Sequence, residues 1–263
     1  MKIEILFPEI CNLYGDLANI RYIKESVPEA QIIETSLKEK PFFADNDVDL
    51  IYMGTTTEQG ITLSVNALLP YVSKLKELID AGQFILLTGN ALDIFGKYID
   101  SDSKEHIEGL GIIPTHAEYY MLKRQNCFCL GEFSDEDARF PIVGFKSIFG
   151  YTYPEKDNSQ IDNSDESQKD SNESSEAVSK FSPLFIMERG AGRNTLVKED
   201  GFRFKNLLAT HLIGPLLPLN PYFTKWLLTK LGAQTEPAFF ESALKAFEVR
   251  KQEMENQHFD PMY

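Results

Sequence analysis

Basic residues, cysteines and histidines are all scarce in this chain. Its 263 residues hold 26 lysines and arginines against 40 aspartates and glutamates, a formal charge of -14. Such a surface repels phosphate backbones and anionic lipid headgroups, so neither nucleic acid nor a membrane is expected as a partner. The three cysteines, Cys11, Cys127 and Cys129, are odd in number and lack the C-x-x-C spacing of zinc and redox motifs. No metal and no cofactor is expected, and a cytoplasmic protein with reduced thiols fits best. His106, His116 and His258 stand in loop-like or terminal contexts and read as solvated, leaving His211 as the histidine to weigh for chemistry. No window approaches the run of about eighteen apolar residues that a membrane span needs. The opening MKIEILFPEICNLYG, broken by Glu4, Pro8 and Glu9, is too short and interrupted for a signal peptide. Internal repeats are absent as well.

What is present is a 43% hydrophobic content, enough for a substantial core, arranged in a regular rhythm. KIEILF (2–7) reads as a first strand and DLANIRYIKESV as the following helix, with Asp16 as its N-cap. AQIIET is a second strand. VDLIYMG (48–54) and QFILLTG (83–89) are nearly uninterrupted apolar runs, the pattern of parallel strands buried on both faces. Between them a single helix is expected through LLPYVSKLKELIDAG, with Leu68, Val72, Leu75, Leu78 and Ile79 on one stripe and Gly82 as its stop. This alternation predicts an α/β fold: a mostly parallel central sheet flanked by helices in the flavodoxin-like manner, with ligands at the carboxyl ends of its strands. Met53–Gly60 and Thr88–Gly96 fall at that edge.

From 115 to 153 and again from 183 to 212 the texture becomes β-like, predicting an added β-rich portion. The intervening segment 154–180 is acidic, rich in serine and asparagine and nearly free of large apolar side chains, so it is expected to be a disordered insertion. Cys127 and Cys129 lie two apart on a strand, face one side and read as buried structural thiols. ERGAGRN (188–194) lacks the lysine and glycine spacing of a phosphate loop and reads as a hairpin-like turn. NPYFTKWLLTKLG predicts a helix capped by Asn220, begun by Pro221 and ended by Gly232. A last helix is expected over about 237–257. The expected organisation is one domain over 1–232 and a helical extension over 233–263.

Five stretches in order carry a resemblance: NLYGDLANI (12–20), DLIYMG followed by Glu58 and Gln59, GNALDIFGKYI (89–99), IVGFKSIFGYTY (142–153) and GRNTLVKEDGFRFKNLLATHLIGPLLPLNP (192–221). Together they resemble the class I glutamine amidotransferases of the cobyric-acid-synthase type, and among them the amidotransferase subunit of lipid II isoglutaminyl synthase. In that family a cysteine on the turn C-G-G-Y-Q-x-L-G attacks the glutamine amide, and a histidine in T-Y-L-H-G-P-L-L is its base. Matching the motifs puts the nucleophile position at Gly89 and the base position at Ile213, neither of which can do that chemistry. The family's glycine-rich M-G-G-G-Q-D-x-E-Q loop reads MGTTTEQ, with branched Thr55 and Thr56. Its G-F-E-N-H-x-G-R-T segment reads GFKSIFGYT, placing Lys146, Ser147, Ile148 and Tyr151 at the changed positions.

The resemblance with these departures implies a non-catalytic subunit or regulator of a Mur-ligase-like synthetase in cell-wall precursor metabolism. Its binding residues would be Gly54, Thr55, Thr56, Gln59 and Asn90, with no catalytic residue assigned. An active amidotransferase using Thr88 as a hydroxyl nucleophile and His211 as its base stays open. So does a small-molecule sensor whose pocket, relined by Thr55, Thr56, Thr88, Asn90 and Ile213, would suit a less polar ligand. The plain reading of TGNALDIFG is a strand-to-helix connection, for which Gly89 and Asn90 are apt residues.

Overall fold

Short apolar strands alternate with helices from the first residues, and the computed structural model, which describes residues 1–155, 180–256, 258 and 260–261, shows how they pair. Residues 156–179, most of the acidic insertion, lie outside the described residues. The first half runs β1 (Lys2–Leu6), α1 (Ala18–Ser26), β2 (Gln31–Thr35), β3 (Leu50–Met53), α2 (Glu58–Leu68), α3 (Val72–Asp80), β4 (Phe84–Thr88) and the short α4 (Ala91–Phe95). Then come β5 (Tyr98–Ser101), β6 (His106–Glu108), β7 (Thr115–Tyr119), β8 (Gln125–Ser134), β9 (Arg139–Ile148), β10 (Gly150–Pro154), β11 (Phe185–Arg189), β12 (Glu199–Asp200), β13 (Phe202–Phe204) and β14 (Leu207–Thr210). The chain continues through α5 (Leu216–Leu219), α6 (Pro221–Lys230) and α7 (Phe240–Glu255).

The central sheet has the order β13-β14-β4-β3-β1-β2. Neighbours from β2 to β14 are parallel, and β13 is an antiparallel edge strand. The parallel strands thus follow the 2-1-3-4-5 order of a flavodoxin-like doubly wound fold. Strand alternation divides the core: Ile51, Met53, Ile85, Leu87, Leu207 and Ala209 pack on the α2 and α3 side, while Leu50, Tyr52, Leu86 and Leu208 pack on the side of α1, α5 and α6. Each leucine, isoleucine or methionine among them, wholly buried, is worth about 1.5–3 kcal/mol of transfer free energy. Among the described residues no helix is long and apolar enough to cross a membrane.

Two four-stranded sheets form the added portion: β10-β7-β5-β6, which includes a parallel β5/β7 pair, and the antiparallel β12-β11-β8-β9. Reciprocal backbone hydrogen bonds between Phe145 and Ile213, 2.9 and 3.2 Å, tie β9 to the segment leaving β14. Phe247 of α7 is buried with Leu130 and Val143, which fixes that helix on the antiparallel sheet.

Several sequence expectations need correction. The single helix expected over 68–82 is shorter: Leu68 is the last residue of α2, a 3-10 turn covers Leu69–Tyr71, and only α3 over Val72–Asp80 follows. Pro70 sits in that turn, where its missing N–H and its ring prevent an uninterrupted α-helix. Residues 202–204 and 207–210 belong to the central sheet rather than to the β-rich portion, because β13 pairs with β14 and β14 with β4. Leu17, not Asp16, stands at the N-cap of α1, and Asn220 stands at the N-cap of α6 as expected but makes no side-chain cap, its amide being spent on the backbone of Val143 and Leu216. In both cases a buried partner outcompeted the helix N–H groups, which neighbouring turns satisfy.

Candidate functional site

At the carboxyl ends of β3, β4 and β14 the loops surround one cleft. β4 stops at Thr88, the chain turns through Gly89 with φ +62°, and α4 follows at once. This is the strand, turn and helix of a nucleophile elbow, with the left-handed residue where the reacting side chain would stand. Gly89 has no side chain, and the space beside it is tightly filled. A Cβ built on Gly89 would lie 2.4 Å from Thr55 Cβ, 2.6 Å from Thr55 Oγ1 and 3.2 Å from Ile213 Cγ2.

Thr55 is held in that position by hydrogen bonds. Its Oγ1 donates to Asn90 Oδ1 (3.0 Å), which also accepts from Thr56 N (2.9 Å), while Asn90 Nδ2 donates to Thr56 O (2.8 Å). The Asn90 amide therefore clamps the 55–56 loop across the mouth of β4. Thr55 and Thr56 are not among the residues with positive φ, so this loop does not adopt the open backbone that glycines at these positions would permit. Thr57 caps α2 by accepting from Gly60 N (3.1 Å), and Glu58 on its first turn lines the cleft.

The expected residues fall into two groups. Thr55, Thr56, Gly89, Asn90, His211 and Ile213 all line the cleft. Gly54 is buried behind it, packed toward the Cys11 carbonyl, and Gln59 is exposed on α2; neither lines the cleft. Thr88 points away from it. Its fully buried hydroxyl donates to Asp16 Oδ2 (2.6 Å) and contacts Tyr52 OH (3.0 Å). Asp16, instead of capping α1, also accepts from Thr55 N (2.9 Å) and Asn19 Nδ2 (2.9 Å). Burial pushes its carboxyl above the ordinary value, and the Thr88 hydrogen bond opposes this. Thr88 is thus the anchor of a buried carboxyl and no nucleophile facing a ligand.

His211 enters the floor of the cleft with Nε2 hydrogen-bonded and Nδ1 without a hydrogen-bond partner among the described residues. Its Nε2 lies 3.1 Å from Thr152 Oγ1 and 3.4 Å from Asp93 Oδ1, and its Nδ1 lies 3.7 Å from Asp200 Oδ1, an ion-pair contact too long for a hydrogen bond. Asp93 in turn accepts from Tyr119 OH (2.8 Å) and Thr152 Oγ1 (2.6 Å). Asp200 pairs with Lys146, whose fully buried ammonium also donates to the carbonyls of Ala191 (2.8 Å) and Gly192 (2.9 Å). Asp93, His211, Asp200 and Lys146 form a charge-balanced chain. Burial disfavours the charged imidazole, but Asp93 and Asp200 outweigh it and raise His211 to about 9. Burial likewise opposes charge on Lys146 and Asp200, yet their mutual attraction prevails, holding Lys146 above and Asp200 below its usual range. A histidine protonated at neutral pH, with Nε2 hydrogen-bonded and both nitrogens facing carboxylates, is not a free base.

Sequence reasoning missed Asp93, Asp200, Tyr14, Tyr119 and Arg124. The chemistry of Lys146 in an otherwise apolar strand was the available signal for the buried charge chain, since a buried ammonium requires a counter-charge. The cleft is also less apolar than expected: Glu58, Asp93, Arg124 and His211 join its threonines. Tyr14, held at φ +59° with its hydroxyl on Ser147 Oγ (3.1 Å), forms one wall, and Arg124 lies over the Phe149 ring at 4.4 Å on another.

A parallel 2-1-3-4-5 sheet, an elbow after its central strand and a facing segment after β14 make up the frame of a class I glutamine amidotransferase. No family model matches the chain. It is 30% identical over 224 residues to the GatD subunit of the glutamine-hydrolyzing lipid II isoglutaminyl synthase of Staphylococcus aureus, covering 83% of this chain and 79% of that one. The GatD subunit of Streptococcus pneumoniae is 23% identical over 235 residues, covering 87% and 79%. A glutamine amidotransferase of Thermotoga maritima superposes with a TM-score of 0.49 at 9% identity over 96% of this chain and 94% of the other; the family assignment rests on the sequence relatives. The chain belongs to the family of GatD amidotransferase subunits of lipid II isoglutaminyl synthase.

Proposed function

We propose that this protein is a GatD-type subunit that no longer hydrolyses glutamine and that serves a Mur-ligase-like synthetase in cell-wall precursor metabolism as a non-catalytic partner or regulator. The observation that carries the first half is the space at Gly89. Thr55 fills the volume a nucleophilic side chain would need, and Ile213 flanks it where a base would stand. A lost cysteine alone could be an isolated change, but Thr55 and Asn90 lock the loop into the vacated space. The His211 imidazole does not compensate, because Asp93, Thr152 and Asp200 hold it. The second half rests on family membership, since the curated relatives are subunits of a synthase named for lipid II.

The test is glutamate release from L-glutamine by the purified protein, alone and in lysate of its own organism, together with gentle affinity co-purification. No release, with a Mur-ligase-like protein recovered, is the expected result. Release that survives Thr88→Val and His211→Gln would show a glutaminase built from other residues, and release lost in either variant would restore the active reading. Recovery of no ligase-like protein would remove the partner assignment while leaving the glutaminase result standing.

A further inference from the structure

Cys127 and Cys129 flank Phe128 on β8, both wholly buried, and their Sγ atoms are 3.5 Å apart. Lys146 stands directly opposite Cys127 in the β8/β9 ladder. Cys129 packs against the turn after β11, where a Cβ on Gly190 would come within 2.9 Å of its sulfur. The Ala191 carbonyl of that turn accepts from Lys146 Nζ (2.8 Å) and lies 4.0 Å from Cys129 Sγ. Two thiols in van der Waals contact beside a buried ammonium are more than core filler.

We propose that Cys127 and Cys129 form an oxidation site that closes to an intrastrand disulfide when a hydroperoxide reaches the sulfurs. The Cys127 thiolate attacks the outer peroxide oxygen, the O–O bond breaks, and the leaving oxygen takes a proton to become an alcohol, or water from hydrogen peroxide. The sulfur is left as a sulfenic acid. Cys129, as it loses its proton, attacks that sulfur, forms the S–S bond and expels the oxygen as water. Two thiols and one hydroperoxide give one disulfide, one alcohol and one water, with two electrons passing from sulfur to oxygen.

Cys127 is suited to react first. The hydrogen bond from Cys129 pulls its thiol down to about 7 against the effect of burial, and Lys146 adds a smaller attraction. Closure is geometrically within reach. Two residues along a strand advance about 6.6 Å, near the upper end of the Cα span that a disulfide bridges, so β8 puckers locally as the bond forms. That pucker acts on Lys146 across the ladder and, through Asp200, on His211 in the floor of the cleft.

The experiment treats the full-length protein with hydrogen peroxide, blocks thiols with iodoacetamide after unfolding, and digests with trypsin. Cleavage after Arg124 and Arg139 leaves both cysteines in one peptide, 125–139, separate from Cys11. The expected product is that peptide lighter by about 2 Da, for two hydrogens lost, unalkylated and regaining two alkylatable thiols on reduction. In Cys129→Ser, peroxide should leave a sulfenic acid at Cys127 that dimedone traps. Peptide 125–139 fully alkylated at both cysteines, or oxidised to sulfinic acid without the bridge, overturns the proposal. So does a bridge formed only when peroxide is added to the unfolded chain, since the folded arrangement would then contribute nothing.

Discussion

The vacated space beside Gly89 can be tested by refilling it. Gly89→Cys places an L-residue at φ +62°, which costs about 1–2 kcal/mol. It also sets a Cβ within 2.4 Å of Thr55 Cβ, an overlap inside a hydrogen-bonded loop that costs a further 1–3 kcal/mol or so. The single variant should therefore lose about 2–5 kcal/mol, and with each kcal/mol shifting Tm by roughly 2 °C in a chain of this size, melt about 4–10 °C lower. Thr55→Gly alone loses the hydrogen bond to Asn90 and gains chain entropy, about 1–2 kcal/mol in all. The double variant should be more stable than the sum of the two predicts, with a coupling of about 1–3 kcal/mol, because the clash is gone. Calorimetry on the four proteins gives the cycle, and thiol titration shows whether the new cysteine is reachable from the cleft. Additive losses, or a Gly89→Cys protein as stable as its parent, would refute the claim that Thr55 occupies the nucleophile's space. Adding Ile213→His to the double variant then asks for glutamate release from a rebuilt site.

Three further outcomes follow from the buried charges. His211, about 9 in the folded protein against 6.5, binds its proton more tightly when folded, so its stabilisation is complete below about pH 6.5 and is lost as pH rises through 9. Its size is about 3 kcal/mol, and the difference in Tm between the parent and His211→Gln should shrink by several degrees over that range; because Cys127, lowered to about 7, contributes the opposite slope, the difference and not the raw curve is the readout. Lys146→Met leaves Asp200 without its main counter-charge and should cost about 3–5 kcal/mol by urea denaturation, with Lys146→Met/Asp200→Leu recovering part of it; an unchanged midpoint in the single variant would mean the pair is not buried as described. Thr88→Val removes a hydrogen bond to the buried Asp16 and should cost about 1–3 kcal/mol without altering any activity of the protein, so a kinetic effect without a stability effect would return Thr88 to the reacting groups.

The family assignment was readable in the sequence, because motif order is a one-dimensional property. So were the buried runs of β3 and β4, whose apolar length is dictated by burial on both faces. Helix boundaries were less legible. The break at Leu69–Tyr71 turns on Pro70 alone, and the caps expected at Asp16 and Asn220 were lost to partners far along the chain, Thr88 and Val143. Propensity weighs only near neighbours, whereas a buried carboxyl or amide goes to the strongest partner in space.

The sequence by itself determined that this is a doubly wound α/β chain, since composition and periodicity are local facts, and its resemblance to the family implied a glycine at the nucleophile position. Only the tertiary structure decided that the glycine's space is closed, that Thr88 faces a buried carboxyl, and that His211 is bound between Asp93 and Asp200. Those outcomes depend on which side chains from residues 16, 55, 93, 146, 200 and 211 converge, and convergence across separations such as the 118 residues between Asp93 and His211 is fixed by packing and electrostatics in three dimensions.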